Sequence, residues 1–207
     1  MKKNLKRRDF IKKAGLAGAA ATAVSSFAAP AIAAGHQEWI ICSAFGKAGL
    51  LGQAIQAFAD NINSYSDKLK IKVYHAGELV PGLESLDAVR SGAAQASYGA
   101  PYYWTNLSDA IEFVATCPFG MNAMEQNAWC YYGGGIEEAD KIYNALGLKF
   151  LPMGNTGNQM GGWFNKEINT PDDYKGLKMR MPGLGGRTIE KLGATPVLLA
   201  GPDVLPS

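Results

Sequence analysis

Residues 154–183 read GNTGNQMGGWFNKEINTPDDYKGLKMRMPG and join a polar turn to a short strand that carries a single arginine. The turn mixes glycines with amide and hydroxyl side chains, and an apolar stretch (160–164) follows it directly. This composition predicts a buried polar turn, because polar side chains inside a protein serve as hydrogen-bonding groups. The polar side chains of the turn are Asn155, Thr156, Asn158 and Gln159.

The strand predicted over residues 177–181 alternates apolar and basic side chains. Side chains alternate across a strand with period two, so Lys178 and Arg180 share one face. A planar guanidinium at the end of a strand can bind a carboxylate through two parallel hydrogen bonds. Arg180 is therefore a candidate carboxylate clamp, and a surface salt bridge is the alternative interpretation.

The first 33 residues predict a signal peptide and not part of the fold. A basic start containing Arg7 and Arg8 precedes an Ala-rich apolar run (14–29), and small residues lead to Ala33. This arrangement is typical of a secretory leader with a twin-arginine motif. We expect cleavage after Ala33 and export of the folded protein to a bacterial periplasm.

The leader also dominates the charge of the chain. The chain has 20 Lys and Arg against 18 Asp and Glu, a formal net charge of +2. Loss of residues 1–33 would remove mostly basic side chains and change the sign of the net charge to negative. The remainder carries no basic stripe, so we expect no nucleic-acid partner.

Three cysteines lie after the leader, at positions 42, 117 and 130. An odd number leaves at least one free thiol, and Cys42 lies in an apolar stretch that predicts a buried thiol. The sequence leaves open whether Cys117 and Cys130 form a disulfide. His36 and His75 are far apart and belong to no Cys/His cluster of the kind that binds zinc.

Apolar periodicity over residues 38–98 predicts alternating strands and helices. Such a βαβαβ order favours a parallel sheet covered by helices, that is, an α/β fold. The predicted strands are 38–43, 69–74 and 95–98, and the predicted helices are 50–64 and 83–91.

Three aromatic residues follow the third predicted strand: Tyr102, Tyr103 and Trp104. The carboxyl end of a strand is where an open α/β sheet forms its ligand crevice, so these rings are candidate pocket walls. For Trp104, packing in the core is an equal alternative.

The rest of the chain predicts further α/β elements. These are helices over 122–132, 136–146 and 187–192, strands over 149–153 and 196–199, a helix start at 170–173, and a glycine-rich turn over 183–186. Gly147 is predicted to end its helix in the left-handed conformation. The glycine-rich turn lacks the spacing of a phosphate-binding loop, so that interpretation is not favoured.

Several motifs resemble one protein family. They are WFNKEINTPDDYKGLKMRMPG (163–183), LGATPV (192–197), GNTGNQMGGW (154–163), APYYW (100–104) and AGPD (200–203). Together they resemble the substrate-binding subunit of tripartite ATP-independent periplasmic (TRAP) transporters, the DctP-like family. The last three are similar to its branch that binds 2-oxo acids and related monocarboxylates.

The resemblance implies a site for a small carboxylate. In the family, the residue matching Arg180 pairs with the ligand carboxylate, and the one matching Gln159 touches the ligand and helps to hold a sodium ion. Tyr102 and Tyr103 match aromatic positions near the pocket. The implied partners are a small carboxylate and the small and large membrane subunits. Pyruvate, longer 2-oxo acids and 2-hydroxy acids all suit such a pocket.

The implied architecture is a periplasmic-binding-protein-like fold of two lobes, here incomplete. We expect a signal peptide over 1–33, a first α/β lobe over 34–153, and the hinge crossing with the start of a second lobe over 154–207. Family members are much longer, and a Glu-Trp pair of the ligand and sodium site lies beyond the matching region. We therefore expect a C-terminally truncated chain that binds its ligand weakly or not at all.

Two other classes of protein compete with a binding protein. A hydrolase using the thiol of Cys117 or Cys130 would need a nearby base, and the chain has no GxSxG nucleophile motif. A structural or redox protein is disfavoured by the odd cysteine count and the absence of a CxxC motif.

Overall fold

The computed structural model describes residues 35–204. The predicted signal peptide lies outside these residues. Within the described range the strands form two separate parallel sheets, one of three strands and one of two. None of the helices in this range is long and apolar enough to cross a membrane.

The first sheet confirms the predicted βαβαβ order. Its central strand is β1, flanked by β2 and β3, and both pairings are parallel. One helix connects each pair of consecutive strands. The elements are β1 (Gln37–Ser43), α1 (Leu50–Tyr65), β2 (Leu69–Tyr74), α2 (Ser85–Arg90) and β3 (Ala96–Tyr98).

Neighbouring side chains of β1 point to opposite faces of this sheet, and each face packs against a different helix. Ile41 packs with Ile55 of α1 and with Ile71 of β2. Cys42, as predicted, is buried and packs with Ala88 of α2. Burial of apolar surface on both faces stabilises the layered arrangement.

A third cluster of buried residues forms beyond the ends of these strands. Tyr103, Trp104, Ile111 and Tyr143 belong to it. The indole nitrogen of Trp104 donates a hydrogen bond to the carbonyl oxygen of Leu83 at 2.8 Å. The sequence left open whether Trp104 lines a pocket or packs in the core. The structure shows that it is a core residue whose indole N–H group is hydrogen-bonded.

Two helices follow, α3 (Ala123–Tyr132) and α4 (Gly135–Ala145). Asn122 caps α3, since its side chain accepts hydrogen bonds from two backbone amides of the first turn. Gly147 follows α4 with a φ of 74°, which confirms the predicted left-handed residue. These helices agree with the predicted ones to within one residue at each end.

The second sheet consists of β4 (Lys178–Arg180) and β5 (Thr195–Val197), which pair in parallel. The helix α5 (Gly183–Lys191) connects them. A 3-10 helix over Pro171–Tyr174 begins where the sequence predicted a helix start. Further 3-10 helices cover Gly82–Glu84, Pro101–Trp104, Ile111–Val114 and Gly201–Asp203.

Two predicted elements are wrong. Residues 149–153 pair with no strand of the described chain, and Phe150 instead packs its ring against Tyr143. Residues 183–186 are not a turn but the first turn of α5. A Cβ at Gly186 would lie 2.2 Å from the carbonyl oxygen of Met181, so the small residue allows the helix to start close to the preceding strand.

Candidate functional site

The last residue of β4, Arg180, reaches from the second sheet to residues that follow the first. Its Nε and Nη2 atoms donate to the carbonyl oxygen of Leu199 at 3.2 and 3.0 Å. Nη2 also donates to the hydroxyl oxygen of Tyr103 at 3.1 Å. These contacts hold the half-buried guanidinium in one orientation.

The ring of Tyr103 lies against the same guanidinium. The centre of the guanidinium is 5.9 Å from the ring centroid, close enough for a cation–π contact. Tyr103 is buried, with 6% of its surface exposed, and Tyr102 stacks edge-to-face against it at 5.1 Å. The structure therefore brings together three of the four predicted site residues.

Tyr102 is a neutral phenol in this environment. Burial raises the pKa of its hydroxyl group, as does the neighbouring Tyr103, while the charge of Arg180 has the opposite and smaller effect. A neutral hydroxyl can both donate and accept a hydrogen bond.

No carboxylate neutralises Arg180 in residues 35–204. The ion pairs in this part of the chain all involve other basic side chains. The alternative of a surface salt bridge is therefore not what the structure contains. A half-buried cation that is fixed in place and lacks a charged partner is suited to an anionic ligand.

Gln159 is not brought to Arg180. The turn that carries it is exposed and not buried as predicted, and Met160 and Trp163 beside it have 79% and 92% of their surfaces exposed. The amide nitrogen of Gln159 donates to the hydroxyl of Thr156 at 2.9 Å. The polar groups of this turn are thus satisfied locally or by water.

A sodium site would need several oxygen ligands around Gln159. No group of three or more His, Cys, Asp or Glu side chains in residues 35–204 is arranged to hold a metal ion. Hard cations also take amide and backbone carbonyl oxygens, and Gln159 can supply one of these.

Sequence reasoning missed a buried carboxylate and its ion-pair partner beside these residues. Glu112 is fully buried and pairs with Arg187 of α5. Both residues line a cleft of about 230 Å³. The signal was present in the sequence, since Glu112 stands within the apolar run Ile111–Val114.

The three cysteines are free thiols, including Cys117 and Cys130. Burial raises the pKa of each thiol above its ordinary value. A raised pKa keeps a thiol protonated at neutral pH, where it is a weak nucleophile. This does not favour the thiol hydrolase considered from the sequence.

The parallel α/β architecture, and an arginine at the end of β4 with no acidic partner in residues 35–204, are consistent with a protein that binds a small anion. Residues 44–207 match the DctP family, described as bacterial extracellular solute-binding protein, family 7. The chain belongs to this family, as the sequence motifs predicted.

One relative is a monocarboxylate 2-oxoacid-binding periplasmic protein of Nostoc sp. It is 39% identical to this chain, and the match covers 97% of this chain and 56% of the relative. The chain thus spans little more than half the length of that protein.

Solved structures of the same family also resemble this chain over part of their length. A TRAP periplasmic solute-binding protein from Pseudoalteromonas atlantica, with bound sodium and pyruvate, is 40% identical with a TM-score of 0.79. The match covers 83% of this chain and 53% of that protein. A second one, from Colwellia psychrerythraea with bound calcium and pyruvate, is 40% identical with a TM-score of 0.77, covering 82% of this chain and 52% of that protein. The predicted periplasmic-binding-protein-like α/β fold is confirmed.

Proposed function

We propose that this chain is part of the periplasmic substrate-binding protein of a TRAP transporter, which captures a small 2-oxo acid such as pyruvate or a related monocarboxylate. The observation that carries this proposal is Arg180, a half-buried guanidinium with a fixed orientation and no acidic partner in residues 35–204. Two solved relatives that are 40% identical hold pyruvate, which supports the choice of ligand.

The hydrogen bonds of Arg180 leave donors for a carboxylate. Leu199 occupies the edge of the guanidinium formed by Nε and Nη2. Nη1 donates to no residue of the described chain, so its two N–H groups are available to a ligand. A carboxylate that loses its hydration shell needs such a charged donor, because its desolvation would otherwise prevent binding.

Gln159 has a proposed second role. Its amide oxygen accepts no hydrogen bond from the described residues, so it is available to a ligand or to a hard cation. Relatives hold sodium or calcium together with pyruvate. We assign Gln159 to ligand contact and to one ligand of a bound sodium ion, with the remaining ligands supplied by other residues.

Tyr102 and Tyr103 complete the proposed site. Tyr102 offers a neutral hydroxyl group and an apolar ring to the ligand, and Tyr103 holds the guanidinium through its hydroxyl group and its ring. The proposed lobe boundary lies between residues 153 and 154, so that Arg180 and Gln159 both belong to the second part of the chain.

Delivery and location are also part of the proposal. The twin-arginine leader would send the folded protein to the periplasm, where it would hand its ligand to the small and large membrane subunits. Cell fractionation tests the route: replacement of Arg7 and Arg8 by lysine should leave the protein in the cytoplasm. Unchanged export of that variant would refute the twin-arginine route without affecting the binding assignment.

Isothermal calorimetry of the protein with pyruvate, longer 2-oxo acids and lactate, each with and without sodium, tests binding. In the whole protein of which this chain is proposed to be a part, we expect saturable binding without turnover, and a loss of about a hundredfold in affinity for Arg180→Ala. Residues 1–207 alone should bind weakly or not at all. Arg180→Lys keeps the charge but not the planar fork and should recover only part of the affinity.

Lys178→Ala is the matched control, since Lys178 lies on the same strand two residues away and is exposed. It should bind as the wild type does. Equal affinities of the Arg180→Ala variant and the wild type, with both folded by circular dichroism, would overturn the proposal.

A further inference from the structure

The buried carboxylate of Glu112 has no role in the proposed ligand site. Its side chain is fully buried, in the 3-10 helix Ile111–Val114 that follows the first sheet. Its ion-pair partner Arg187 lies on α5, the helix that connects the strands of the second sheet. The pair therefore joins the 3-10 helix that follows the first sheet to the helix of the second sheet.

The same carboxylate also lies at the beginning of α5. A Cβ built on Gly183, the first residue of that helix, would stand 3.1 Å from Oε2 of Glu112 and 2.8 Å from the Cβ of Tyr102. The first amides of a helix carry a partial positive charge and favour a nearby anion. Glu112 thus pairs with Arg187 and lies near the amino end of α5, although its Oε2 accepts no hydrogen bond from the described residues.

The helix α5, which Glu112 contacts, begins shortly after the proposed ligand-binding residue Arg180. Only residues 181 and 182 separate Arg180 from α5. A shift of α5 away from Tyr102 would therefore move the end of β4 away from Tyr103, which hydrogen-bonds to Arg180.

We propose that Glu112 is a positioning residue for the carboxylate site, acting through Arg187 and the amino end of α5 to hold Arg180 against Tyr103. This inference rests on the proposed function for its ligand readout. Glu112 is fully buried, whereas about half of the Arg187 side chain is exposed. Removing Arg187 would leave a buried carboxylate uncompensated, whereas removing Glu112 leaves Arg187 in contact with water and releases α5 from this contact.

Asp109 supplies a matched control. Its carboxylate lies 3.5 Å from Nη1 of the same Arg187, but its side chain is 92% exposed. An exposed pair at that distance contributes little. Asp109→Asn therefore removes an acid from the same arginine without removing the buried contact.

The first test needs no ligand. Hydrogen exchange is measured on the protein for the amides of α5 and, as a reference, of β1. In Glu112→Gln we expect exchange in α5 to accelerate by about tenfold with β1 unchanged, while Asp109→Asn matches the wild type. Exchange in α5 that is the same in all three proteins would overturn the proposal.

The second test measures pyruvate binding by stopped-flow. We expect Glu112→Gln to raise the dissociation rate constant about tenfold, and the double variant Glu112→Gln/Arg187→Met to be no worse than the single one, because the contact between the two side chains is already lost in the single variant. Strictly additive effects of the two substitutions would refute positioning through Arg187.

The outcomes separate the two proposals. A wild-type protein that binds no small carboxylate, but whose α5 loosens in Glu112→Gln, would refute the proposed function and retain the contact between layers. Normal pyruvate binding by Glu112→Gln would refute the positioning role and leave the proposed function intact.

Discussion

Replacement of Tyr103 by phenylalanine isolates the contribution of one hydroxyl group to the orientation of Arg180. The substitution removes the oxygen atom that accepts a hydrogen bond from Nη2 at 3.1 Å. It keeps the aromatic ring, whose centroid is 5.9 Å from the guanidinium centre, and its contacts with Tyr102 and Trp104. The guanidinium should remain nearby but become less strictly oriented.

The size of the effect follows from the remaining contacts. A hydrogen bond to a charged group contributes about 1.5–3 kcal/mol. Leu199 still accepts from Nε and Nη2 after the substitution, so the lower end of that range applies. About 1.5 kcal/mol corresponds to an approximately tenfold increase in the Kd for pyruvate.

Calorimetry with pyruvate measures this change, and thermal unfolding monitors the fold. Tyr143→Phe is the control, since Tyr143 is also buried in the same core cluster but makes no contact with Arg180. We expect no change in affinity for that variant. Affinity of Tyr103→Phe within twofold of the wild type, in a protein that loses binding in Arg180→Ala, would refute the reasoning.

Three further predictions concern single positions. Gly183→Ala should destabilise the protein by about 2 kcal/mol, because Gly183 has a φ of 62° and a Cβ there would stand 2.8 Å from that of Tyr102; denaturant unfolding measures this. Asn122→Ala should cost about 1 kcal/mol through loss of the helix cap, seen as a lower Tm. Hydrogen bonds from Thr170 lower the pKa of Asp173 below its ordinary value of 3.8. Asp173→Asn should therefore lower the Tm at neutral pH. The difference in Tm from the wild type should vanish as the pH falls through the folded-state pKa of Asp173.

Controls for these variants lie nearby in the chain. A Cβ at Gly161 would have no atom within 4 Å, so Gly161→Ala should leave the stability unchanged. Asn122→Asp keeps a capping oxygen and should restore most of the stability. Asp172→Asn removes an acid from the same turn, one whose ion pair with Lys175 is exposed, and should have little effect at any pH. A Tm difference for Asp173→Asn that grows on acidification would contradict the sign of the pKa argument.

Much of the first sheet could be predicted from local patterns. The strand over residues 69–74 agrees with the structure at both ends, and the helix predicted over 50–64 ends only one residue early. These segments have clear alternating or helical apolar periodicity, and their burial follows from it. Residues 149–153 are equally apolar but form no strand in the described chain, since the ring of Phe150 packs on Tyr143 instead.

The sequence named four candidate site residues, and the structure brings three of them together. The structure places Arg180, Tyr102 and Tyr103 near one another, and their role in ligand binding stays a prediction from strand ends and family motifs. The buried turn around Gln159 was wrong, because amide-rich composition does not distinguish a buried polar turn from one that faces water. Glu112 was missed although its place in an apolar run indicates burial, because the sequence does not show that Arg187 is its partner.

The sequence by itself determined the order of strands and helices, the α/β class and the family, because hydrophobic period and motifs are properties of neighbouring residues. Only the tertiary structure decided the hydrogen bond between Arg180 and Tyr103, which lie 77 residues apart, and the ion pair between Glu112 and Arg187. Such contacts depend on how two layers pack against each other. Packing selects one partner among many chemically equivalent side chains, and no local pattern carries that information.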